Sequence, residues 1–338
     1  MDQGHQIRLT AGEVTQLWAQ YMNDSGSVCM LTYFAEKAED EEIKPVIEFA
    51  LKLSQTHIEK LTSIFKEEKF AIPYGFKVEE DVNLQAPRLY SDSYALTFVH
   101  QMAMIGLTNY AGAVSASVRE DISDYYMECL SETMELFKKA KQVLLQKGLM
   151  IRAPYIPNLA EIEFVKKQSF VWDIFGNKRP LIAAEISNLF SNLQRNALGA
   201  ATLTGFAQVA QSKEVTDFFI KGIEIAKKHV RIFSTKLEES NLPSPTTWSS
   251  EVTDSTAKTF SDKLMLFFTS GMISLSVGYY GTAVAQSPRV DIGIMYNRLS
   301  AEVQLYSEDG ANLMIKNGWL EQPPMAPDRD ELARKKKK

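Results

Sequence analysis

A chain of 338 residues with a formal net charge of -5 has the length of two domains and lacks the basic balance that a nucleic-acid-binding surface needs. Hydrophobic residues make up 45% and charged residues 23%, ordinary globular values that exclude wholesale disorder and fibrous structure. The two cysteines, Cys29 and Cys129, show no CxxC spacing. They exclude a disulfide framework and a zinc site built from cysteines, and they fit a reducing cytoplasmic compartment.

The polar start, MDQGHQIRLTAGEV, lacks the basic-then-apolar order of a signal peptide, and Ser, Thr and Gly interrupt the longest apolar stretches. Neither an export signal nor a membrane span is expected. Val14, Leu17, Trp18, Tyr21, Val28, Leu31 and Ala35 recur at three- and four-residue steps, which predicts a first helix with one apolar face. After the acidic turn Glu39 to Glu42, a second helix follows on Ile43, Val46, Ala50, Leu53, His57, Leu61 and Ile64, and ends before Pro73 and Gly75. Residues 73 to about 89 hold no sustained period. Ser91 then serves as N-cap of a third helix marked by Tyr94, Phe98, Met102 and Ile105 and running to about Ser117. Asp121 opens a fourth, carried by Ile122, Tyr126, Cys129, Leu136, Ala140 and Val143, which Gly148 closes.

Short turns make the first and second helices, and the third and fourth, antiparallel pairs. The long middle segment can cross the bundle and set the second and third helices parallel.

The sequence then repeats itself. At an offset of 172, Leu31, Thr32, Phe34 and Ala35 recur as Leu203, Thr204, Phe206 and Ala207, and His57, Glu67 and Pro73 recur as His229, Glu239 and Pro245. Past a middle loop that is two residues shorter, the offset becomes 170, so that Ser91, Phe98, Tyr110, Arg119, Asp121 and Glu132 fall on Ser261, Phe268, Tyr280, Arg289, Asp291 and Glu302. The expected domains are therefore residues 1–157 and 181–327, each a four-helix bundle. A linker over 158–180 is expected to pack through Phe164, Phe170, Trp172 and Phe175, and a polar basic tail covers 328–338.

The segments FSDKLM at 260–265, YYGTAVAQSPRVD at 279–291 and KNGWLEQPP at 316–324 resemble an uncharacterised family of spore-forming bacteria that is similar to the spore coat protein F group. The resemblance covers nearly the whole chain. It implies an all-α fold of two tandem ferritin-like four-helix bundles with long crossover loops, and association with spores. It implies no reaction.

A di-iron carboxylate bundle needs Glu-x-x-His on two helices, yet Ser54 stands three residues before His57 and Ala226 three before His229. Glu132 and Glu302 likewise have no His three residues later. What remains is a trio at one level of each bundle: His57, Tyr110 and Glu132, repeated as His229, Tyr280 and Glu302. Imidazole, phenol and carboxylate together suit a single transition-metal ion per bundle. The plainer reading is a core histidine held by one or two hydrogen bonds, with no cofactor. Arg119 with Asp121, Arg289 with Asp291, and Glu13 with Glu185 read as structural groups at helix ends. No phosphate loop, nucleophile elbow or HExxH motif is present.

The expected function is that of a structural or interaction protein that assembles with itself or with protein partners, and a homo-oligomer is compatible with it. The alternative is a metal- or small-molecule-binding bundle with redox or stress-related activity.

Overall fold

A computed structural model describes residues 7–172, 178–244 and 248–335. Among these residues the α-helices are α1 (Ala11–Lys37), α2 (Lys44–Glu67), the short α3 (Val78–Asp81), α4 (Asp92–Ala116), α5 (Glu120–Gln146), α6 (Ala183–Val209), α7 (Lys213–Glu238), α8 (Asp262–Gln286), α9 (Val290–Lys316) and α10 (Arg329–Lys335), and there is no β-strand. The duplication is written into these boundaries. Helices α1 and α6 start and end 172 residues apart, and α4 and α8, like α5 and α9, do so 170 apart.

Local chemistry sets the helix starts. Thr10 caps α1 in a reciprocal box with Glu13, and Ser91 and Ser261 cap α4 and α8 by accepting from Tyr94 N and Leu264 N. Glu13 also reaches across the bundle. It is fully buried, and it accepts from the amides of Val118 and Arg119 at 2.9 and 2.8 Å and from Thr10 N at 2.7 Å. Burial alone would raise its carboxyl pKa, but these donors hold it below the usual range. Glu185 does the same for Arg289 N, with the Arg179 guanidinium as its second partner.

Contacts along the helices establish the crossover. Glu39 N meets Asp92, Gln20 meets Tyr110 and Glu13 meets Val118, so α1 runs antiparallel to α4. Lys147 meets Asp40, His57 meets Glu132 and Glu68 meets Arg119, so α2 runs antiparallel to α5. With α1 and α2 antiparallel across their short turn, α2 and α4 are parallel, as the loop length predicts.

The two bundles are joined through their crossover loops. Val82 pairs with Phe260 and Tyr90 with Val252 in antiparallel bridges, and these bridges are copies of one another under the 170-residue offset. The flanking side chains follow the same rule, since Ser261 Oγ donates to Asp81 and Ser91 Oγ donates to Glu251. Phe98 and its copy Phe268 lie against each other, ring centroids 6.0 Å apart, which marks an internal pseudo-two-fold axis. Tyr33 packs edge-on to Phe260 at 5.0 Å, and Tyr90 and Tyr94 reach into α6 to bond Thr202. Apolar contact is thus continuous from one half to the other.

A second, smaller cluster lies at the far end of the first bundle, around Leu17, Leu61, Phe65 and Tyr126. Buried Asp24, Ser54 and His57 lie beside it.

The linker differs from expectation. Phe164 is 81% exposed and Trp172 is 61% exposed, and only its last part is held, with Phe170 half-buried under the Arg179 guanidinium and Val171 O accepting from Val290 N. Glu161, Glu163, Lys166 and Lys167 stand among its apolar residues and favour solvent, and the aromatic content does not overcome that. Phe175 and Pro245 lie outside the described residues. Helix α8 is long and apolar enough to cross a membrane, with a mean hydropathy of 1.3, and in this fold it is the third helix of the second bundle.

Candidate functional site

The second helix of each bundle carries its histidine on the buried face because Ala50, Ser54, His57, Leu61 and Ile64 recur at helical spacing. His57 is 5% exposed and His229 is fully buried. Around these equivalent rings the two bundles differ.

In the second bundle the sequence-predicted trio meets. His229 Nδ1 lies 2.9 Å from the Tyr280 hydroxyl, and Nε2 lies 3.1 Å from Glu302. The Tyr280 hydroxyl also accepts from Asn196 Nδ2 at 2.9 Å, and Lys228 donates to both oxygens of Glu302 at 2.7 and 2.9 Å. Every polar atom of this ring has a partner. Burial pulls the His229 pKa below its ordinary value, although Glu302 opposes the shift, so the imidazole is neutral near pH 7.

In the first bundle Glu132 meets His57 Nε2 at 2.9 Å, but Tyr110 does not bond the ring. Its ring stands edge-on at 6.0 Å, and its hydroxyl accepts from Gln20 at 3.3 Å. The place that Tyr280 takes beside His229 is held here by Asp24, with Oδ2 3.3 Å from His57 Nδ1 and Oδ1 accepting from Ser54 Oγ at 2.9 Å. Cys129, one turn before Glu132 on α5, completes the group. One ligand atom each from His57, Cys129 and Glu132 all lie within 4.8 Å of one another. Burial again works against the charged ring, but the Asp24 carboxylate and Cys129 outweigh it and raise the His57 pKa to about 11.

Of the six residues expected to meet, His57 joins Glu132, and His229 joins Tyr280 and Glu302, whereas Tyr110 stays off its ring; Asp24, Gln20 and Cys129 belong to the group without being expected there. A signal for Asp24 was present. It falls on the apolar stripe of the first helix between Tyr21 and Val28, where a buried carboxylate requires a partner. Its copy is Asn196, and the copy of Cys129 is Leu299.

The arginine at each bend between third and fourth helix is structural. Arg119 forms a fork with Asp121 at 3.0 and 2.7 Å and also meets Glu68, and Arg289 forms the same fork with Asp291 at 3.0 and 2.8 Å. The carbonyls they reach, Ile7 O and Arg179 O, belong to the segments entering α1 and α6.

Fold and site together define an all-α protein of two tandem four-helix halves, each with a buried histidine at one level. The chain belongs to the DUF3231 family, described as a protein family of unknown function, whose model matches it twice, over residues 2–162 and 169–332. No curated protein matches it. Among solved structures it is similar to a protein of Bacillus halodurans provisionally described as a spore coat protein. The two are 17% identical over 46% of this chain and 99% of that one, with a TM-score of 0.40.

Proposed function

We propose that the protein is a structural, self-assembling unit in which the segment between the two joined bundles docks onto a second copy of the chain. The observation that carries this reading is the exposed chain that leaves the first bundle, from Tyr155 into the linker. Tyr155, Leu159, Ile162 and Phe164 are each more than 80% exposed within ten residues of chain. Large apolar side chains this close together and this exposed mark contact surfaces.

The same chain offers a matching surface. After its first turn α4 contains no Asp, Glu, Lys or Arg, and neither does α8, and their outer faces are built of small neutral residues such as Thr108, Ala111, Gly112, Ser274, Gly278 and Gly281. The apolar side chains of the strap can lie on such a face without desolvating a charge on it, while Glu161 and Glu163 stay toward solvent. Spore association and membership of the ferritin-like superfamily rest on the sequence resemblance, a cytoplasmic compartment rests on the cysteine pattern, and fractionation of spores tests the placement separately.

Sedimentation velocity over a wide concentration range tests the assembly. Reversible association that is lost in the double variant Leu159→Ser, Phe164→Ser supports the reading. A wild-type chain that stays monomeric throughout, or association indifferent to both substitutions, contradicts it.

A further inference from the structure

Beyond assembly, we propose that the first bundle alone binds one divalent transition-metal ion of the zinc class, through His57, Cys129 and Glu132, with Asp24 holding the imidazole.

Three observations meet at this point. The first is the donor set. A nitrogen, a sulfur and a carboxylate oxygen converge within 4.8 Å, on two neighbouring helices. Imidazole and thiolate together suit zinc or cobalt(II) and not magnesium or calcium, which take oxygen ligands. A four-coordinate ion at about 2.0–2.3 Å from its ligands needs them roughly 3–4 Å apart, so only small side-chain movements close the site.

The second observation is a pair of buried polar atoms that face only each other, without the geometry of a hydrogen bond. Asp24 is 6% exposed, and its Oδ2 faces His57 Nδ1 at 3.3 Å as an ion-pair contact without hydrogen-bond geometry, while neither atom has a hydrogen bond to any other group. Buried atoms of this kind are nearly always satisfied. With the ion on Nε2, the ring proton sits on Nδ1 and points at Asp24. A metal-bound histidine ordinarily keeps its other nitrogen against a carboxylate in this way. Gln20 Nε2 lies 3.7 Å from Cys129 Sγ and is a donor for the thiolate.

The third observation is access. The Glu132 side chain is 30% exposed, whereas His57 and Cys129 are sealed, so an ion enters beside Glu132 between α2 and α5. Three protein ligands leave a fourth position for water. On binding, Cys129 releases its thiol proton and His57 any proton on Nε2, both to solvent.

The second bundle is the built-in comparison. Leu299 replaces Cys129, Asn196 replaces Asp24, and Lys228 already neutralises Glu302, so His229 is part of a closed network. The inference is one ion per chain, not one per bundle.

Cobalt(II) titration of the chelator-treated full chain under reducing conditions tests it. The expected result is saturation at one equivalent with a sulfur-to-cobalt charge-transfer band. Cys129→Leu installs the residue found at the equivalent place in the second bundle, and its fold is checked by its circular-dichroism melt. It should lose the band and bind at least tenfold more weakly. Asp24→Asn should weaken binding by about 10–100-fold, as loss of a supporting partner does. Cys29→Ser and His229→Ala should leave stoichiometry and band unchanged. Absence of saturable binding overturns the proposal, and so does a band that persists in folded Cys129→Leu.

Discussion

Asp24 faces the ring of His57 at 3.3 Å, and that carboxylate separates the chemistry of the first bundle from that of its copy. The second bundle has Asn196 in its place, which donates to Tyr280 and leaves His229 neutral. Exchanging the two residues should exchange the behaviour of the rings. In metal-free protein, Asp24→Asn should lower the titration midpoint of His57, and Asn196→Asp should raise that of His229, each by about 1–3 pH units, the ordinary effect of an adjacent opposite charge. Proton NMR titration of the imidazole signals measures both.

The shifts fix signs for stability against pH. His57 is faced by Asp24 from α1, Cys129, Glu132 and Tyr125 from α5, and Tyr110 from α4. Its raised pKa gives a contribution fully present below about 6.5 that is lost as pH climbs toward about 11. His229 and Glu13 have lowered values, so their contributions are present above the unfolded values and are lost as pH falls through the lowered ones. Urea midpoints of the metal-free chain should therefore decline on both sides of neutrality. His57→Gln should flatten the alkaline limb and Glu13→Gln the acid limb.

Gly205 sits in the middle of α6 with the Tyr90 ring against it, and a Cβ there would press into the ring hydroxyl and its carbon. Alanine normally stabilises a helix interior by about 1 kcal/mol over glycine. Here Gly205→Ala should instead destabilise by about 1–3 kcal/mol through overpacking of a buried contact. Thermal melts decide the sign. Recovery in the double variant Gly205→Ala, Tyr90→Ala would locate the clash at this pair.

Much of the fold was legible because helices write a period into sequence. The stripes on α1, α2, α4 and α5 named the elements, and the length of an aperiodic loop implied the crossover. The joining of the halves was not legible. Val82, Tyr90, Val252 and Phe260 pair through backbone groups that every residue carries, so their sequence does not announce the partner. The linker misled for a related reason. Phe164 and Trp172 are the residue types of a core, but composition does not say whether a surface lies within reach. At the site, His57 and Glu132 were found because histidine and glutamate stand out on an apolar stripe. Cys129 did not stand out, because a lone cysteine counts as a small hydrophobe until folding brings it beside His57.

Because Tyr33 meets Phe260, Phe98 meets Phe268 and the crossover loops share hydrogen bonds, the halves should unfold together. Calorimetry of the metal-free chain should give one transition whose calorimetric and van't Hoff enthalpies agree. Two resolved transitions would show that the bundles are independent.

Two bundles copied from one sequence hold their histidines in opposite states. Nitrogen-15 NMR of the imidazoles in chelator-treated protein near pH 8 addresses this directly. A protonated ring is expected for His57 and a neutral ring for His229. Two neutral rings, or two titrating together, would contradict it.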